Sequence, residues 1–275
     1  MSSPTSRAQG HAGDIRSKVA RTGLIGKGAL YTLLGFLAIN VALGNRGSAS
    51  ETGAIQTVAQ APFGKFLLIA LTVALIALVV WKFTQAAAGD PVEGSEGSDR
   101  AKYAFKGVLY SGAALASLSI LIANWGGNAG AVPGGGGGGG QQQATGLIMG
   151  LPGGRWIVMI IGLIAIGFGA YQIYKHTMNC GFMERIGSLQ QDKRKTVEAL
   201  GRAGYLGSGL VTIGVGFFFV TAGLTYDPNN VKGLSGLLSD LAGQSWGQVV
   251  LWVIAVGLFA YGLFSFAEAR YRPVT

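Results

Sequence analysis

Three stretches decide the fold: ARTGLIGKGALYTLLG at 20–35, DRAKYAFKGVLYSGAA at 99–114 and GRAGYLGSGLVTIGVG at 201–216. Shifting the first by 79 residues lays Arg21, Lys27, Gly28, Leu30 and Tyr31 on Arg100, Lys106, Gly107, Leu109 and Tyr110. A shift of 181 lays Arg21, Gly23, Gly26 and Gly28 on Arg202, Gly204, Gly207 and Gly209. Each stretch leads from a cation into an apolar run with small residues every seven positions: Gly28, Gly35, Ala42; Gly107, Ala114; Gly209, Gly216, Gly223. Seven residues turn an α-helix through about 700°, so each set lines one seam. Small seams let helix backbones approach in lipid, where the hydrophobic effect cannot drive helices together.

Working outward, six apolar stretches reach the roughly 20 residues that a ~30 Å hydrocarbon core demands. They run over Gly23–Leu43, Phe66–Gln85, Phe105–Ala123, Trp156–Tyr174, Ala203–Leu224 and Trp246–Phe266, and none contains Asp, Glu or Arg. The second members repeat as well. Pro62, Gly64, Phe66 and Trp81 fall on Pro152, Gly154, Trp156 and Tyr171 at a shift of 90, and Phe66 and Trp81 fall on Trp246 and Tyr261 at 180. The expectation is an all-α integral membrane protein of six transmembrane helices, built as three parallel helical hairpins in a pseudo-threefold arrangement. The divisions are a disordered cytoplasmic tail over 1–17, repeat 1 over 18–90, repeat 2 over 91–185 with a glycine-rich outer loop over 126–154, and repeat 3 over 186–275.

Composition agrees with a membrane reading. Of 275 residues 49% are hydrophobic and only 12% charged, against roughly 25% charged in soluble domains. The net charge of +9 forms no single stripe of the kind that grips nucleic acid. Seventeen of the 21 Lys and Arg residues fall on the N-terminus, the second and fourth loops and the C-terminus, which places both termini in the cytoplasm. The first 22 residues lack an apolar signal-peptide core, so no leader is expected to be removed.

The three aligned stretches resemble the bacterial membrane family called domain of unknown function 1206, built from three repeats of a two-helix unit. The resemblance covers the chain from about Lys18 to Pro273. It implies an inner-membrane protein and brings no assigned activity. The second repeat departs from the pattern, because Lys102 stands where the others have Gly23 and Gly204.

Polar residues inside spans are the first place to look for function. Asn40, Ser119 and Thr221 coincide under the two shifts, as do Tyr31, Tyr110 and Thr212. The sets lie nine residues apart, about 900° of helix, so only one faces a central axis. Asn40, Ser119 and Thr221 read as interhelical hydrogen-bond donors, or as a polar constriction. Arg21, Arg100 and Arg202, with Lys27 and Lys106 further in, oppose the helix dipole at N-termini and so call for an anionic partner. Lipid phosphates of the inner leaflet are the nearest, which makes these five candidate lipid-phosphate ligands.

For catalysis the chain offers little. His11 and His176 sit in no HExxH element, and the chain has no P-loop and no GxSxG. Cys180, the one cysteine, follows His176 by four residues, short of the four ligands of a structural zinc site. No catalytic residue, cofactor or metal is expected. Two function classes stay open: a scaffold or accessory subunit that meets a protein partner in a membrane complex, and a small channel or transporter.

Overall fold

The computed structural model describes residues 4–44, 64–89, 95–125, 139–187 and 191–271, and among them the chain is helical with no strand. The helices are α1 (Pro4–Ala42), α2 (Gly64–Ala88), α3 (Gly97–Trp125), α4 (Gly139–Met149), α5 (Gly154–Ile173), α6 (Gln191–Thr225), α7 (Leu234–Ala242) and α8 (Gly247–Tyr271). Five segments are long and apolar enough to cross a bilayer: Lys18–Ala42, Lys65–Ala88, Gly154–Met178, Gln191–Thr225 and Gly247–Tyr271. Helix α3, where the sixth is expected, runs for 29 residues but is not among those five, and its side chains at 109, 112, 113 and 116 lie outside the described residues.

Three boundaries differ from the sequence reading. Helix α1 starts at Pro4, so it runs back through most of the stretch expected to be a disordered tail. Proline at the first turn is tolerated because its missing N–H has no intrahelical partner there, and no later proline interrupts the helix. The loops expected on the outer side in repeats 2 and 3 contain α4 and α7; the glycine run 134–140 lies outside the described residues as far as 138, and Gly139 opens α4. Helix α8 passes Phe266 and runs to Tyr271, which brings Glu268 inside a spanning helix. Helix ends α1 and α2 stop on Gly44 (φ 87°) and Gly89 (φ 78°), left-handed positions where only glycine escapes a Cβ penalty. The Gly89 N–H reaches the Gln85 carbonyl at 2.8 Å, closing the last turn.

The most extensive packing joins α1 to α8 and α5 to α6, followed by α2 with α3, α6 with α8, and α1 with α2. The seven-residue seams lie in these contacts. A Cβ on Gly216 would stand 2.8 Å from the Gly162 carbonyl oxygen, and one on Gly28 would stand 2.9 Å from the Phe266 ring. Gly209 faces Ile173 and Gly169, Gly223 faces Met159, and Gly35 lies against the Phe259 backbone. A second, shorter set serves the other flank of the same helices: Gly23 and Gly26 meet Leu78 and Ala74, and Gly204 and Gly207 meet Tyr261 and Gly257. Thus α1 and α6 are each gripped on two sides by backbone-close contacts.

Gly216→Ala is expected to push α6 off α5 and lower stability by about 1–3 kcal/mol. Gly167→Ala, at a helical position with nothing within 4 Å of an added Cβ, should leave stability unchanged or raise it. Thermal unfolding of the two variants in one detergent checks this, and equal losses would remove the seam argument.

Candidate functional site

The candidate site is the polar and aromatic centre where α1, α6 and α8 meet. Tyr261, Phe264 and Glu268 recur at three and seven residues along α8 and so share one helical face. Lys27 and Tyr31 are four apart on α1 and face the same point. The π-helical turn Tyr174–Met178 that ends α5 and the 3₁₀ turn Gly181–Arg185 bring in His176 and Phe182. Cys180, at φ 49°, makes the reversal between those turns.

The rings form a continuous cluster. Tyr31 packs edge-on to Tyr261 at 4.8 Å between centroids, and Tyr205 does the same at 5.1 Å. Phe182 stacks on Tyr205 at 5.5 Å and meets Phe264 at 5.0 Å, while His176 lies 4.1 Å from Tyr205. Each such aromatic pair adds about 0.5–1.5 kcal/mol beyond area burial.

A lysine and a glutamate sit in this centre along with His176. Lys27 is 6% exposed and its Nζ lies 4.3 Å above the Tyr261 ring; Glu268 is 1% exposed and also acts on Tyr261. A desolvated cation over an aromatic face gains about 2 kcal/mol. Several other buried polar groups are paired between or along helices. Lys82 donates to Gln85 at 2.7 Å, with its Nζ 4.2 Å over Trp81. Thr72 and Ser117 join α2 to α3 at 2.7 Å, and Gln172 donates to Ser208 at 3.1 Å, joining α5 to α6.

The residues singled out from sequence are placed as follows. Arg21 is exposed. Arg100 is exposed and donates to the Ala86 carbonyl at 2.9 Å, a cation at the C-terminal end of α2 where the helix dipole favours it. Arg202 donates to Glu198 at 2.6 Å and to Cys180 Sγ at 3.1 Å. Lys106 is half-buried, its Nζ 5.9 Å from the Phe168 ring. Lys27 turns inward to Tyr261. The five cations therefore take separate partners. Lys102, outside that set, donates to Asp99 at 3.0 Å, which holds its ammonium above the ordinary lysine range.

Asn40, Ser119 and Thr221 do not make the interhelical bonds expected of them. They donate to Phe36, Leu115 and Phe218 carbonyls of their own helices at 3.0, 2.9 and 2.9 Å. A short polar side chain reaches the carbonyl one turn back more readily than a neighbouring helix. Of the other set, Tyr31 packs on Tyr261, while Thr212 donates to the Ser208 carbonyl of its own helix at 2.9 Å. Glu268 and Tyr205 were not singled out from sequence, and His176 was weighed only as a metal ligand or catalytic group. The signal for Glu268 was its seven-residue spacing from Tyr261, hidden because the apolar run ends before it.

Against known proteins, the family model described as Domain of Unknown Function (DUF1206) matches the chain three times, over residues 22–89, 101–175 and 203–272. The chain is also similar to an uncharacterized protein, YxxB, of Bacillus subtilis (strain 168), with 27% identity over 261 residues covering 94% of this chain and 92% of that one. No solved structure matches.

Tyr261→Ala is expected to cost about 3–5 kcal/mol of stability through the cavity it leaves. Tyr261→Phe, which keeps the ring under Lys27, should cost less than about 1.5 kcal/mol. Replacing Asn40, Ser119 and Thr221 singly by Ala should stay within about 0.5 kcal/mol. Chemical unfolding in detergent ranks these variants, and a ring-residue loss equal to that of Tyr261→Ala would reverse the assignment of the centre.

Proposed function

Taking as premise that the chain belongs to the DUF1206 family, whose unit recurs three times along it, we propose a closed ring of three two-helix repeats that serves as a non-enzymatic scaffold or accessory subunit in the bacterial inner membrane. The packing of α2 on α3, α5 on α6 and α8 on α1 supports the pseudo-threefold reading, because each pairs a repeat's second helix with the next repeat's first. Helix α3 supplies the sixth span, and the cation count places both termini in the cytoplasm. The rim cations Arg21, Arg100 and Arg202 contact anionic lipid around that face.

The observation that carries the scaffold reading is the aromatic centre. A conduit needs a polar or hydrated path, whereas here Tyr31, Tyr205, Tyr261, Phe182 and Phe264 fill the place where α1, α6 and α8 meet. Backbone-close seams around that centre suit a rigid body that presents its outer surface to a protein partner. One observation favours the channel or transporter instead. Lys27 and Glu268 are ionisable groups buried within spans, which in membrane proteins commonly mark an ion or proton pathway.

Two measurements test this. Cysteines introduced at 127–145 in a Cys180→Ser background should be labelled from outside by an impermeant maleimide and those at 188–196 should not; the reverse pattern refutes the orientation. Proteoliposomes should show no flux of ions, water or small osmolytes above protein-free vesicles. A wild-type flux abolished by Lys27→Met would replace the scaffold by the channel.

A further inference from the structure

The three repeats are not closed alike, and the difference opens a cleft. In repeats 1 and 3 the two helices approach through glycine pairs, Gly23 and Gly26 against Leu78 and Ala74, Gly204 and Gly207 against Tyr261 and Gly257. The shift of 79 puts Lys102 and Phe105 at the corresponding positions of repeat 2, and the shift of 90 puts Ile164 and Phe168 opposite them. Bulk replaces the close approach. Among the described residues α3 and α5 have no backbone packing of the extent that joins the other neighbours, and they meet through Phe105 and Phe168, whose centroids lie 6.5 Å apart. Helix α5 is the least buried of the five spanning segments.

The walls on either side are apolar and open. Val108 and Leu115 on α3 are 63% and 64% exposed, and Ile157 and Ile164 on α5 are 45% and 59% exposed. The mouth is cationic. Lys106 Nζ sits 5.9 Å from the Phe168 ring and Lys175 Nζ sits 5.9 Å from the Tyr171 ring, one cation from each side, while Lys102 is held by Asp99. Both lysines lie at the end that the positive-inside count assigns to the cytoplasm. An apolar slot topped by two cations matches one ligand chemistry: an acyl chain that carries an anionic head.

We propose that the α3–α5 cleft is a specific site for an anionic phospholipid of the inner leaflet, with an acyl chain between Phe105, Leu115 and Ile164 and the phosphate between Lys106 and Lys175. This deepens the lipid contact proposed above and rests on that membrane reading, but it moves the site from the rim arginines to the one unclosed seam. It also gives the departure of repeat 2 from its siblings a physical role: Lys102 and Phe105 keep the seam from closing.

The test uses the full chain in phosphatidylcholine nanodiscs doped with phosphatidylglycerol carrying a photoreactive diazirine in its acyl chain, with adducts mapped by mass spectrometry. Adducts should concentrate on Val108, Leu115, Ile157 and Ile164 over the comparably exposed Val73 and Val249, and unlabelled phosphatidylglycerol should compete them away. Lys106→Gln and Lys175→Gln should each reduce that enrichment about five-fold. A diazirine phosphatidylcholine probe should be indifferent to both variants, and its adducts at Val73 and Val249 report that the variants are inserted and folded. Lys102→Gly with Phe105→Gly should close the seam and remove adducts of both probes from α3 and α5. Even labelling of all exposed faces, or enrichment untouched by the lysine variants, would overturn the proposal. So would protection of the cleft by a second copy, seen as a dimer by native mass spectrometry. A protein that conducts in proteoliposomes yet keeps the adduct pattern would remove only the scaffold reading.

Discussion

Helices in a hydrocarbon solvent gain nothing from hiding apolar side chains, so what holds this chain together is how closely its backbones approach. Dispersion falls steeply with separation, and only residues without a Cβ, or nearly so, let two helices come within reach of each other's main chain. Gly216 against Gly162 and Gly207 against Gly257 are contacts of that kind, where an added methyl would meet backbone atoms. Because α1 and α6 carry two such lines on opposite flanks, each is locked between neighbours on both sides. The 47 glycines of the chain thus include the main cohesive element of the spanning region.

That closeness creates the electrostatic setting of the centre. Helices drawn together exclude both lipid and water from the space between them, and a lysine or glutamate left there needs compensation nearby. Tyr261 provides it for Lys27 by lying under its ammonium, while Gln85 takes the same part for Lys82. Rings and charges therefore depend on each other: the cations fix the orientation of the rings, and the rings spare the cations a bare hydrocarbon surface.

Much of this was legible in the amino-acid order. The seven-residue recurrence of small residues identified the seams, since the helical period alone fixes which positions share a face. The match of Lys102 to Gly23 and Gly204 already marked repeat 2 as different. Partner choice was not legible, because a period says which side of a helix is sticky and nothing about what it meets; the contact of α1 with α8 is of this kind. Lys27 read as a headgroup ligand from its depth near a span end, yet its four-residue spacing from Tyr31 turns it inward. Asn40, Ser119 and Thr221 aligned well, but sequence alignment does not tell whether a hydroxyl or amide prefers its own carbonyl. Glu268 was lost because the apolar run was cut two residues short.

The junction of α1 with α8 also sets a timetable for assembly. Gln248 donates to the Ala42 carbonyl across 206 residues of chain, and Gly28 and Gly35 wait for Phe266 and Phe259. At ribosomal speeds that interval is about 10–40 s. During it the first span sits in the bilayer with its tightest-packing face against lipid or an insertion factor. The packing of α8 on α1 thus waits until α8 has been made, and a nascent chain that stalls before α8 leaves that face unsatisfied, a mark that sets such a chain apart from one that has docked α8.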